Sequence, residues 1–282
     1  MSTRLRIDCG YEGTQFFGWG IQPSHPSVQA SLEIALGVVL RLDKKSIKTV
    51  VAGRTDAGVH ALAQVFHVDL PEDFHLTDAA LRALPRRLKG ALGTDAISVH
   101  QVALAPPGFD ARFSALSRTY EYRIADLAAT KNPLHRNFSV VSPYRLDQQQ
   151  MNELGSALLG LHDWAAFCRP RVAATTIRQL QSFSWIRDAE GVLIATVRAD
   201  AFCRSMVRSL VGSAVAVGRG KISVDDVLRV RQQKARVSQW PVMPAKGLAL
   251  VSIEYPPEAK MAQQALDTRA RRTLTPNDPQ AR

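Results

Sequence analysis

The sequence of 282 residues predicts an α+β fold built in two halves. Three observations carry that expectation. Strand-like and helix-like stretches interleave along the chain, they do not follow the strict strand–helix alternation of a doubly wound parallel sheet, and the mixture begins again after Pro106-Pro107-Gly108. The expected divisions are an N-terminal half over residues 1–106, a C-terminal half over 107–255, and a partly disordered tail over 256–282.

The elements follow in order from periodicity and capping. Residues 4–9 alternate polar and apolar, as a half-buried strand does. Ser27 caps a helix that places Val28, Leu32, Ala35, Leu36 and Val39 on one face. Short strands are expected over 48–52 and 64–68, flanking a glycine-bounded turn. Thr77 caps a helix carrying Leu81, Leu84 and Leu88, with Pro85 expected to kink or end it. Strands follow at 97–104 and 118–124, and Asp147 opens a helix burying Met151, Leu154 and Leu158. Strands at 177–186 and 193–199 are separated by the turn-prone Asp188-Ala189-Glu190-Gly191. An apolar helix runs over 204–217 and stops at Gly218. Ser223-Val224-Asp225-Asp226 has the form of a capping box, and 247–255 is the last strand. From Pro256 the apolar periodicity fades, leaving a short helix over 258–272 and a disordered end.

Composition narrows the function classes. Hydrophobic residues make up 46% and charged residues 22% of the chain, the balance of an ordinary globular protein. No apolar run approaches the ~20 residues that span a bilayer, and the N-terminus lacks a secretory signal, so the cytoplasm is expected. Cys9, Cys168 and Cys203 are scattered and form no C-x-x-C spacing, which argues for packing roles rather than disulfides or zinc. The 36 Lys and Arg against 25 Asp and Glu give a formal charge of +11, which attracts polyanions. Arg82, Arg86, Arg87 and Lys89 form one basic patch, and Arg169 and Arg171 another.

The segment with most chemical content is Gly53-Arg54-Thr55-Asp56-Ala57-Gly58-Val59-His60-Ala61. Its glycines permit a tight turn that presents Asp56 with Arg54 two positions away. On residue type alone, a structural Asx-turn aspartate is the better account of it. His60 and His67 fit no usual zinc spacing, and His60 is expected to support the turn. Arg208 lies in an apolar helix, where an unpaired charge is costly, so a buried ion-pair role is expected.

The nine-residue string resembles the catalytic motif of the tRNA pseudouridine synthase A family. Tyr11-Glu12-Gly13-Thr14-Gln15-Phe16-Phe17-Gly18-Trp19, then Gln22 and Ser27-Val28-Gln29, is similar to the family's opening strand and helix. Phe109-Asp110-Ala111-Arg112-Phe113-Ser114-Ala115, Arg118, Tyr120, Tyr122, His162-Asp163-Trp164, Thr176-Ile177-Arg178, Phe202, Met206-Val207-Arg208, Val211-Gly212 and Gly247-Leu248 follow in the family's order. The resemblance spans residues 4–255. Gly20, Lys89 and Trp164 depart from it, standing where a larger polar residue, an asparagine and a phenylalanine are common.

The resemblance implies two pseudo-related, ferredoxin-like α+β halves sharing a continuous, largely antiparallel sheet with a basic cleft between them. It implies a homodimer that uses no cofactor and no metal. The implied reaction isomerises uridine to pseudouridine on the 3′ side of the tRNA anticodon stem-loop. Asp56 is then the catalytic residue, as nucleophile or as base. Tyr120 lies on the target base, Arg54 fills the space of the extruded base or holds a phosphate, and Arg208 keeps Asp56 ionised. Tyr122 is expected to be structural. A noncatalytic RNA-binding or RNA-chaperone protein of the same fold is the alternative. A zinc deaminase is disfavoured because neither H-x-E nor P-C-x-x-C occurs, and a metal nuclease because the motif supplies one carboxylate.

Overall fold

A computed structural model describes residues 3–72, 74–169, 175–233 and 239–270. The elements in chain order are β1 (Arg4–Tyr11), α1 (Val28–Leu40), β2 (Thr49–Val51), β3 (His60–Asp69), α2 (Asp78–Leu92), β4 (Ile97–Leu104), β5 (Ser117–Ala125), β6 (Val140–Val141), α3 (Gln148–Ala157), β7 (Gly160–Asp163), β8 (Ile177–Arg187), β9 (Leu193–Ala199), α4 (Met206–Gly218), α5 (Val224–Gln233), β10 (Leu248–Glu254) and α6 (Glu258–Arg269). The fold is α+β, as the sequence predicts. Two compact units emerge: Met1–Leu116 with Leu250–Ala270, and Ser117–Ala249. No helix among the described residues is long and apolar enough to cross a membrane.

In the first unit the strands run in the order β4-β1-β3-β10, with β2 also on β3. Antiparallel pairing of Leu5 with Val68 and Ile7 with Phe66 puts four fully buried side chains on one face. α1 and α2 pack against each other within this unit, and α2 also packs on β4. The Ser27 hydroxyl caps α1 by accepting from the Ala30 N–H. Glu33 then fastens α1 to β2, accepting from the Thr49 N–H at 3.0 Å and its hydroxyl at 2.8 Å. α2 does not end at Pro85 but continues to Leu92. The proline forfeits one backbone hydrogen bond, while Leu84 and Leu88 on either side are fully buried and hold the helix down.

The opposite face of this sheet explains why the expected divisions shift. Val65 packs with Phe109, Ala111 and Met261, and the Ala111 N–H donates to His67 Nδ1 at 3.0 Å. Arg4 clasps Asp69 through two bonds and donates to the Phe109 carbonyl. The 109–115 segment therefore belongs to the first unit, and the boundary falls at Leu116 instead of Pro106. The helix expected near the C-terminus ends at Arg269 and docks here as α6. A Cβ placed on Gly108 would lie 2.4 Å from the Ala262 Cβ, the Ser114 hydroxyl donates to the Met261 carbonyl, and Arg269 pairs with Asp110 at 3.0 Å. Residues 271–282, expected to be disordered, lie outside the described residues, as does Arg171.

The second unit carries an antiparallel sheet in the order β5-β9-β8-β7, with β6 added parallel to β5. Neither β6 nor β7 was expected; at two and four residues they are too short to show a period. Asp147 caps α3 by accepting from the Gln150 N–H, and Met151, Leu154 and Leu158 are buried as the periodicity predicts. Asn152 in α3 fastens the helix to β8, accepting from the Trp185 N–H at 2.7 Å and donating to its carbonyl at 3.0 Å. Ser223 and Asp226 form the expected capping box of α5. Trp164, fully buried, donates its indole N–H to the Arg178 carbonyl and packs edge-on to Phe167.

His67 supplies a pH test of the first unit. Burial foremost, then the charge of Arg4, lowers its pKa from 6.5 to about 4, although Asp110 and Asp69 push the other way. An unfolded chain therefore binds the extra proton first as pH falls below 6.5. Stability is full at neutral pH and drops between 6.5 and 4, by about 2 kcal/mol at pH 5. Urea titrations at pH 7.5 and pH 5 should show that loss in the parent protein and a smaller one in His67→Asn.

Candidate active site

Asp56 is half-buried on the turn between β2 and β3, while Arg54 is exposed on the same turn. The turn closes locally with the Val59 N–H donating to the Asp56 carbonyl at 3.2 Å, and Gly58 takes φ 76°, which favours glycine. Groups outside the turn fasten its backbone. Gln64, fully buried on β3, donates from Nε2 to the Gly53 carbonyl at 2.8 Å and to the Tyr11 hydroxyl at 3.2 Å. The Tyr11 hydroxyl and Thr55 Oγ1 lie 2.8 Å apart.

A second clamp comes from the segment between β1 and α1. The Gly58 N–H donates to the Phe16 carbonyl at 3.2 Å, and the Trp19 N–H to the Thr55 carbonyl at 3.1 Å. Two glycines make this approach sterically feasible. A Cβ on Gly13 would lie 2.1 Å from the Val59 carbonyl oxygen, and one on Gly18, at φ 93°, would lie 2.7 Å from that of Thr55. His60 completes the support, as its sequence position suggests. Its Nδ1 lies 2.9 Å from the Gly13 N–H and 3.5 Å from the Glu12 carboxylate, so the ring ties the start of the clamping segment to the turn. Gly20 leaves room beside Arg54, because a Cβ there would lie 3.9 Å from the guanidinium carbon.

Tyr120 and Arg208 lie in the second unit. Tyr120 is opposite Val197 in the β5–β9 pair, and its ring meets Phe202 edge-on at 5.2 Å. Tyr122, two residues along, is fully buried, donates to the Pro244 carbonyl at 2.8 Å and packs against Gly247. Burial pushes its phenol well above its usual range, against the opposing charge of Arg208. This is the structural role expected of it. Arg208, in the first turn of α4, donates from Nε to the Met243 carbonyl at 2.5 Å, and the Met243 N–H returns a bond to the Arg208 carbonyl at 3.1 Å. Ser205, just before α4, holds φ 64°, an uncommon value for a non-glycine residue.

The structure thus places Arg54 and Asp56 on one fastened turn, and Tyr120 and Arg208 on stiff elements of the other unit. The sequence by itself assigns no role to Tyr11, Gly13, Gly18 or Gln64. The signal that was present is the pair of glycines bracketing Phe16-Phe17 directly upstream of a capped helix.

A family profile described as tRNA pseudouridine synthase matches residues 156–256. The chain is 48% identical to a tRNA pseudouridine synthase A of Leifsonia xyli, covering 97% of this chain and 99% of the relative. It is 48% identical to the protein of that name from Frankia casuarinae, over 95% and 94% of the two chains. The Cutibacterium acnes protein of that name is 47% identical over 96% and 95%.

Glycine substitutions test the clamp. Gly13→Ala drives a methyl into the Val59 carbonyl and should cost about 1–3 kcal/mol in chemical denaturation. Gly90→Ala, in the open interior of α2 with nothing within 4 Å of the new methyl, should instead stabilise by about 0.5–1 kcal/mol.

Proposed function

The chain belongs to the tRNA pseudouridine synthase A family, whose reaction isomerises uridine to pseudouridine in tRNA, and we propose that Asp56 carries the chemistry here on uridines of the anticodon stem-loop. The observation supporting that assignment is the turn itself: its backbone is fastened at Gly53, Thr55 and Gly58 by Gln64, Trp19 and Phe16. A carboxylate on so ordered a backbone meets its substrate with little further loss of freedom.

Isomerisation breaks the N1–C1′ bond, rotates the uracil and forms a C5–C1′ bond; C5 then gives up its proton to solvent and N1 takes one up, so the net formula is unchanged. The target must leave its stack, at a cost of a few kcal/mol. Arg54, exposed with room beside it, fills the vacated space or takes a phosphate, since its planar fork suits both. Asp56 then attacks the sugar or removes a sugar proton to give a glycal; both routes need it ionised. Arg208 is assigned, following the family, as the cation that pairs with this carboxylate. Tyr120 supports the uracil face, where stacking tolerates a base that must rotate. The protein is assigned to the cytoplasm as a homodimer, following its family.

Asp56→Asn should abolish pseudouridine formation on anticodon stem-loop RNA while tRNA affinity stays within about threefold, the difference expected when a residue acts in the transition state alone. Turnover by that variant in a metal-free assay would sink the assignment. Affinity should also fall steeply with salt, each engaged Lys or Arg adding roughly 0.7–0.9 to the log–log slope. A flat salt dependence by filter binding would separate the +11 charge from RNA recognition.

A further inference from the structure

The segment that clamps the Asp56 turn carries an exposed aromatic pair. Phe17 and His25 stack with ring centroids 4.1 Å apart and planes 16° from parallel. Phe17 is 44% exposed and His25 is exposed as well. The turn between them is ordered: Gln22 and His25 form an isolated bridge, Ser24 holds φ 62°, the Phe17 N–H donates to the Pro26 carbonyl at 2.9 Å, and Gln22 Nε2 donates to the Phe17 carbonyl. Phe17 is also indexed to Asp56. Its neighbour Phe16 accepts from Gly58, and its other neighbour Gly18 lies with its Cβ position 3.1 Å from the Asp56 carbonyl carbon.

A large ring in the core is explained by burial, but a flat pair held open to water beside a reactive turn is not. Single-stranded and extruded nucleotides are gripped by stacking on such rings. We propose that the Phe17–His25 pair is a stacking platform for a base of the substrate tRNA next to the target uridine, a positioning element that sets the RNA against Asp56. The inference rests on the RNA-modifying reading above. It differs from a purely structural role for the pair, in which the rings only brace the turn.

The test compares Phe17→Leu, Phe17→Ala and Phe17→Tyr on full-length tRNA transcript, with Kd, KM and kcat measured for each and thermal melting as a control. Leu keeps apolar bulk without a ring face, whereas Tyr keeps the face. The platform predicts that Leu and Ala raise Kd and KM by roughly 5- to 100-fold, the span of base–aromatic stacking. Tyr should stay within about twofold of the parent, and all three melting temperatures should agree within a few degrees, as for an exposed site. Leu binding as tightly as the parent would overturn the proposal, and so would Tyr losing as much as Leu. A parent protein that forms no pseudouridine would instead remove the enzymatic reading, and the Kd series would still decide the platform.

Discussion

The structure of the site depends on one backbone contact, the seating of the Tyr11–Trp19 segment on the Gly53–Val59 turn. Ordering a loop residue costs about 1–2 kcal/mol of conformational entropy, and a hydrogen bond returns about 1 kcal/mol net. The bonds from Gly58 to Phe16 and from Trp19 to Thr55 cannot by themselves hold a seven-residue turn. Burial supplies the remainder: Tyr11, Phe16, Trp19 and Val59 are all buried around it, at about 1.5–3 kcal/mol for each fully buried large side chain. That burial is available only because Gly13 and Gly18 let the two backbones meet. A side chain at either position would hold them apart and expose the same apolar groups.

The second unit uses the same device to set its own elements. The Phe183 carbonyl oxygen lies 2.1 Å from where Gly155 would carry a Cβ, so α3 sits directly on β8. The Pro241 carbonyl oxygen lies 2.0 Å from that position on Gly212, bringing the segment after α5 across α4. Met243 then reaches Arg208 through reciprocal bonds, and Trp240 reaches the Ser209 hydroxyl. Arg208 is thereby held by the backbone on which its helix packs. Removing the glycine contact would loosen the arginine without altering any residue that touches it.

These contacts mark the limit of what could be read in the sequence. Caps and periodicity located α1 and α3 closely, because Ser27, Asp147 and the apolar positions after them act within one helix. α2 ran past Pro85 because packing of Leu84 and Leu88 outweighs one lost bond. α6 was faint because it docks through small residues, Ala262 on Gly108, with only Met261 and Ala265 buried. Its return with β10 to the first unit is a long-range choice that no local pattern carries. Asp56 is the instructive case: residue type favours a structural turn aspartate, and only the ordered set of segments around it points to a reactive one. Two of those segments, Tyr11–Trp19 and Gly53–Ala61, prove to be the two sides of one clamp.

That clamp also acts differently on the two charged residues it carries. With Gly53, Thr55 and Gly58 fastened, the backbone that carries Asp56 is set in place during folding. Arg54 shares the same fixed backbone, yet its long side chain is exposed and Gly20 leaves space at its guanidinium. A larger residue at position 20 would lie against that guanidinium and narrow its range. The departure at Gly20 therefore acts on Arg54 and leaves Asp56 as it was. The placement of the Asp56 backbone and the reach of the arginine are thus set independently, although only two positions separate them.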